Sequence, residues 1–261
     1  MGDDASRELD ERGFVVVPDA VPPALRARLE RVVDRIYGLE ERAGRLAKDR
    51  SLHLLGAVAR NEIFVELLDL PSTFPLVCGA LGWNIHMYHS HLDVHPPVGP
   101  RAVPWRWHQD GGRQNLELET DPRPRLSVKV AVFLSDVSEP DRGNLLVLPR
   151  SHRTNRLCGR ENRVQPAGAV PILAEPGTAV VFDRRLWHAR SDNRSNLTRK
   201  VVFLGYTYRW IRPRDDAVVP PALLSRCSAV RRQLLGGGTT PTGYWIPMDE
   251  DVPLRAALAA S

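Results

Sequence analysis

The chain has 261 residues, 43% of them apolar, which is enough for one sizeable core; a β-barrel or sandwich of this length is commonly one domain. Its 36 basic residues are scattered among 31 acidic ones, leaving +5 without a dense Lys/Arg block, so nucleic acid is not an expected partner. No apolar run reaches the roughly 18 residues of a membrane span, the acidic start lacks the pattern of a signal peptide, and three widely spaced cysteines (Cys78, Cys158, Cys227) read as reduced thiols, so a cytoplasmic protein is expected.

The β-branched run Gly13 to Pro18 predicts a strand. A helix follows, with Pro22 and Pro23 suited to its first turn and Leu25, Leu29, Val32, Val33 and Ile36 at the spacing of one buried face. A second helical stretch is predicted over Asn61 to Leu68, capped by Asn61 and ended by Pro71, with a shorter helix from Ser72 towards Gly82. From Trp83 onward the texture changes to short strands separated by Gly, Pro and Asp. Strands are predicted over Asn84 to Val94, Ser127 to Leu134, Asn144 to Leu148, Thr178 to Phe182 and Lys200 to Trp210. The tail returns to helix around Ala222 to Leu235. The expected fold is therefore mainly β with flanking helices, an antiparallel sandwich or jelly roll. A single domain spans 1–261, with the jelly-roll core at about 83–210.

The central chemical signal is Trp105-Arg106-Trp107-His108-Gln109-Asp110-Gly111-Gly112-Arg113. On an extended backbone, side chains two apart project to the same side, so His108 and Asp110 can grip one ion. The best candidate for a third ligand is His188, which follows the strand predicted at Thr178 to Phe182. Two imidazoles and one carboxylate leave coordination positions open, the arrangement used by iron(II) enzymes that activate O₂. Eleven residues after His188, Arg199 opens a strand rich in Val, Phe and Tyr. A guanidinium in a sheet interior is costly unless a carboxylate pairs with it, and a dicarboxylate chelating iron at its other end would supply one. A rival metal cluster is offered by His86, His89, His91 and His95, where His89-Ser90-His91 also has period-two spacing. His53 and His152 read as ordinary polar histidines.

With these residues in place, the chain resembles the phytanoyl-CoA dioxygenase-like branch of iron(II)/2-oxoglutarate oxygenases. The resemblance runs from Gly13 to about Trp210. It takes in Trp107-His108-Gln109-Asp110, Arg142-Gly143-Asn144 through Pro149-Arg150-Ser151-His152, Pro176-Gly177 through Phe182, Trp187-His188, Asn193 and Arg199. It implies a double-stranded β-helix in which His108, Asp110 and His188 hold Fe(II) and Arg199 binds the distal carboxylate of 2-oxoglutarate, with O₂ as oxidant. Many members carry a small hydroxyl residue two positions after the second histidine. Here that position is Arg190, so Ser191, one further on, becomes the candidate contact. Lys129, on the face opposite Val128, Val130 and Val132, is the candidate for the iron-side carboxylate, the alternative being an exposed strand lysine. The implied reaction is hydroxylation of a small organic molecule such as a secondary metabolite or amino-acid-like compound. Desaturation, cyclisation or epimerisation on the same cofactors, or a non-catalytic binding protein, are the alternatives. Trp107, Gln109, Arg113, His89 and Arg190 are expected to line the substrate pocket, and the arginines near the ligands predict an anionic substrate.

Overall fold

The computed structural model describes residues 2–98, 106–155, 164–215, 218–237 and 239–260; Trp105 and Cys158 lie outside them. The strands among these are Phe14–Val17 (β1), Leu52–Leu55 (β2), Ile85–His95 (β3), Ser127–Phe133 (β4), Leu145–Val147 (β5), Val170–Pro171 (β6), Ala179–Asp183 (β7), His188–Arg190 (β8) and Arg199–Tyr208 (β9). They form a six-stranded sheet in the order β1-β7-β4-β9-β3-β2 and a three-stranded sheet, β6-β5-β8, with every pairing antiparallel. This is the predicted jelly roll. Two strands that precede the 83–210 span, β1 and β2, form the edges of the large sheet.

Alternation along the strands separates two apolar layers. Val128, Val130 and Val132 of β4 and Val202 and Leu204 of β9 pack with Leu29 and Val33 of the helix Pro23–Arg42 and with Val77 of the helix Phe74–Leu81. The opposite face turns Ala131, Phe133, Phe182, Val201 and Phe203 towards Leu145 and Val147 of the small sheet. Leu204 is fully buried in the first layer, so Leu204→Ala should cost about 2–5 kcal/mol, whereas Trp245→Ala, at a side chain 78% exposed, should stay within about 0.5 kcal/mol. Urea unfolding midpoints at unchanged slope measure both.

Several boundaries differ from expectation for local reasons. The stretch Asn61 to Leu68 is a 3₁₀ helix, Glu62–Leu67, whose cap Asn61 accepts from the Ile63 N–H at 3.0 Å; so short a run before Pro71 tightens to i→i+3 bonds. The tail helix is broken into Pro221–Leu224 and Ala229–Leu234, because Ser228 caps the second piece by accepting from Arg231 N–H. An unpredicted helix, Gly2–Arg12, ends at Gly13, whose φ of +85° and closeness to His152 (2.4 Å from where a Cβ would stand) leave room for glycine alone. Among the described residues no helix is long and apolar enough to cross a membrane. Cys78 and Cys227 are free thiols.

Candidate active site

His108 does not sit within a long strand. It bridges His188 directly, each residue's N–H donating to the other's carbonyl at 3.0 Å. Two residues on, the Asp110 N–H donates to the Arg184 carbonyl at 2.8 Å. The ligand loop is thus stitched to the β7–β8 turn, and His188 opens a strand of its own rather than trailing one.

One ligand atom from each of His108, Asp110 and His188 lies within 4.8 Å of the others, a gap that a single ion can bridge. The two imidazole rings stand 4.2 Å apart, and His188 Nε2 is 3.8 Å from Asp110 Oδ2. Each Nδ1 meets the backbone carbonyl two residues earlier, Arg106 at 3.0 Å and Leu186 at 2.8 Å. With the Nδ1–H donated there, each Nε2 keeps its lone pair for a metal. Burial pushes His188 down to about 3, with His108 adding to the effect and Asp110 opposing it. Burial alone would raise the Asp110 carboxyl, but Lys129, His188 and His108 hold it well below the usual carboxylate range. Both groups are therefore in their ligand forms near neutral pH.

Lys129 is buried, not an exposed strand lysine: its Nζ is 2.7 Å from Asp110 Oδ2 and 6.0 Å from the Phe203 ring centre. It shares a cavity of about 120 Å³ with the three ligand residues and Arg199. Arg199 is 2% exposed, its Nε and Nη1 have no hydrogen-bond partner, and Asp93 Oδ2 stands 3.8 Å away. Burial pushes its pKa down to about 9, against the pull of Asp93 and with the push of Arg190. A desolvated guanidinium with unmet donors is a site waiting for a carboxylate.

The other expected pocket residues fall in different places. Ser191 is not among the residues lining the cavity: its N–H donates to the Asn144 carbonyl at 2.9 Å and its hydroxyl to the Asp192 carbonyl at 3.2 Å. Arg113 stands on the short helix Arg113–Glu117 with its side chain 86% exposed, paired with Glu117. His89 lies behind the cavity wall, donating from Nδ1 to Asp215 at 2.6 Å while its Nε2 meets His91 Nδ1 at 2.7 Å. The rival pair His89/His91 thus bond each other, and of the two only His91 falls, among the described residues, in a group at ligand spacing. Trp107 is buried in the fold. Arg190 lines the small cavity and Gln109 a larger one beside it; Gln109 also ties its loop to the Thr154 and Arg185 carbonyls.

Sequence reasoning missed Asp93 and His53. Asp93 is 3% exposed, accepts from His53 at 2.6 Å, and with His53 and His91 forms a second group at ligand spacing. The signal was present, since His91-Leu92-Asp93 repeats the His-x-Asp pattern, but His53 arrives only through the β2–β3 register, opposite Asp93.

This pairing of fold and ligand set is that of a mononuclear iron, 2-oxoglutarate-dependent oxygenase. The chain belongs to the phytanoyl-CoA dioxygenase (PhyH) family, whose profile matches residues 9–201. L-proline trans-4-hydroxylase of Streptomyces griseoviridis is 27% identical over 207 residues, covering 69% of this chain and 74% of that protein. Ectoine dioxygenase of Nocardia farcinica is 24% identical over 230 residues, 75% of this chain and 74% of that protein. The crystal structure of HygX from Streptomyces hygroscopicus, with nickel and 2-oxoglutarate bound, superposes with a TM-score of 0.66 at 15% identity, over 81% of this chain and 88% of that one. At such identity the structural likeness speaks to the fold.

Proposed function

We propose that the chain hydroxylates a small organic molecule using Fe(II), 2-oxoglutarate and O₂, with His108, Asp110 and His188 as the iron ligands. The observation that carries this reading is Arg199, a buried guanidinium with two unpartnered donors that lines the same cavity as the three ligand residues. Arg199 would take the distal carboxylate of 2-oxoglutarate in a bidentate grip. Lys129 holds Asp110 ionised and stands where it can meet the iron-side carboxylate. Phe203 and Leu145 keep the cavity wall apolar. Bound iron supplies O₂ activation coupled to oxidative decarboxylation of 2-oxoglutarate to succinate and CO₂. The chain acts as one oxygenase domain, a reading supported by Leu9 and Leu254 joining a common core, and a cytoplasmic location is in keeping with the free thiols Cys78 and Cys227. Its substrate is anionic, in keeping with Arg190 and Arg214 on the cavity wall, two cations that 2-oxoglutarate does not claim in this reading.

The test is succinate formation from 2-oxoglutarate by the purified protein, with and without Fe(II) and O₂. Succinate that depends on both is the expected result. Its absence at full iron loading would refute the reading.

A further inference from the structure

A cavity of about 680 Å³ adjoins the small one and shares His108, Asp110 and Arg214 with it. That volume suits a small-molecule ligand. Arg184, Arg212 and Arg214 line it, and among the described lining residues the one carboxylate is Asp110, already engaged by Lys129.

Arg184 is the informative residue. It is 4% exposed, its Nε has no hydrogen-bond partner, and among the described residues no carboxylate lies within ion-pair distance of it. Its Nη1 donates to Gln114 Oε1 at 2.5 Å, a neutral partner. The adjacent Asp183 is committed elsewhere, accepting from Arg125 Nε at 3.0 Å and from the Arg185 N–H at 2.9 Å. The position of the guanidinium is built into the ligand loop. Gly111 has φ +94°, and a Cβ there would stand 2.6 Å from Arg184 Nη1, so the glycine after Asp110 is what lets the side chain pass. An unpaired buried guanidinium is costly, and burial disfavours its charge here. An oxyanion entering the cavity supplies the missing partner.

We propose that the large cavity is the substrate site and that Arg184, with Arg212 and Arg214 at its mouth, binds an oxyanion on the substrate, a carboxylate or a phosphoryl group. The proposal rests on iron being held by His108, Asp110 and His188. Because Arg184 abuts the loop that carries Asp110, the carbon oxidised lies close to the anionic group. The substrate charge is thus read by residues other than Arg113, which is exposed, and Arg185, which is paired with Asp183.

Benzoate, phenyl phosphate and benzamide, titrated calorimetrically into anaerobic protein saturated with Fe(II) and 2-oxoglutarate, test this. One of the two anions should bind about tenfold or more tightly than benzamide, and the tighter one assigns the group as carboxylate or phosphoryl. Arg184→Gln should erase that preference, Arg214→Gln should weaken it several-fold, and Arg113→Gln should leave it intact. Should Arg184→Gln fail to fold, the exposed Arg214→Gln decides the matter. Equal binding of all three probes, binding of none, or a preference that survives these two substitutions would overturn the proposal. The iron(II)–2-oxoglutarate absorption band, recorded on the same samples, separates this outcome from failure of the metal assignment.

Discussion

Replacing His108, Asp110 or His188 by alanine is expected to abolish turnover and to cut iron affinity by more than about 100-fold. Loss of a partner that only orients a ligand typically costs about 10–100-fold, and each of these substitutions would remove a proposed ligand itself. The three are not equivalent in other respects. Asp110→Ala also leaves the buried Lys129 ammonium without the carboxylate 2.7 Å away, so it should destabilise the fold as well as empty the site. His188→Ala removes a ring packed edge-on against Phe182 at 5.3 Å between centroids. His108→Ala disturbs least, since the bridge to His188 is made by backbone groups that alanine retains. Iron content by atomic absorption after gel filtration, read beside circular dichroism, provides the check. Full iron occupancy in all three variants would remove these residues from the metal site.

Much of the fold was legible because one face of each strand had to be apolar. The valines at 128, 130 and 132 announce β4, and the same parity puts Lys129 on the other face, where it meets Asp110. The proposed metal ligands were legible because His-x-Asp is local and because His188 follows a strong strand signal. What the sequence hid depends on pairing between distant segments. Asp93 becomes part of the pocket wall only because β3 pairs with β9, setting Val201 opposite Asp93 and Arg199 opposite His95. Arg184 carries no local mark separating it from Arg185; its neighbour's bond to Asp183 and its own passage over Gly111 are tertiary facts. Ser191 and Arg113 misled for the same reason. Closeness in sequence to a ligand does not determine position: Ser191, just past β8, does not line the cavity, and Arg113 on the helix Arg113–Glu117 is exposed.

Arg199→Ala should raise the 2-oxoglutarate concentration needed for half-saturation by about 100-fold or more, with the maximal rate far less affected. Breaking one side of a buried charge pair typically costs about 3–5 kcal/mol, and about 1.4 kcal/mol is a factor of ten. In this site the loss is compounded by Asp93. With the guanidinium gone, its carboxylate, which His53 and His95 help hold well below the usual carboxylate range against the opposing effect of burial, faces the incoming distal carboxylate with no cation between them. Arg199→Lys should recover part of the loss, because an ammonium restores the charge but cannot present two parallel N–H donors. Lysine also reaches less far from the start of β9, and in the wild type it is Nε and Nη1 that are left unfilled. The measurement is calorimetric titration of 2-oxoglutarate into iron-loaded, oxygen-free protein, alongside the concentration dependence of succinate formation. An order of affinity in which wild type exceeds lysine and lysine exceeds alanine is the expected result. Equal affinity in wild type and Arg199→Ala would place the distal carboxylate elsewhere, and Arg190, on the same cavity wall, would be the residue to replace next.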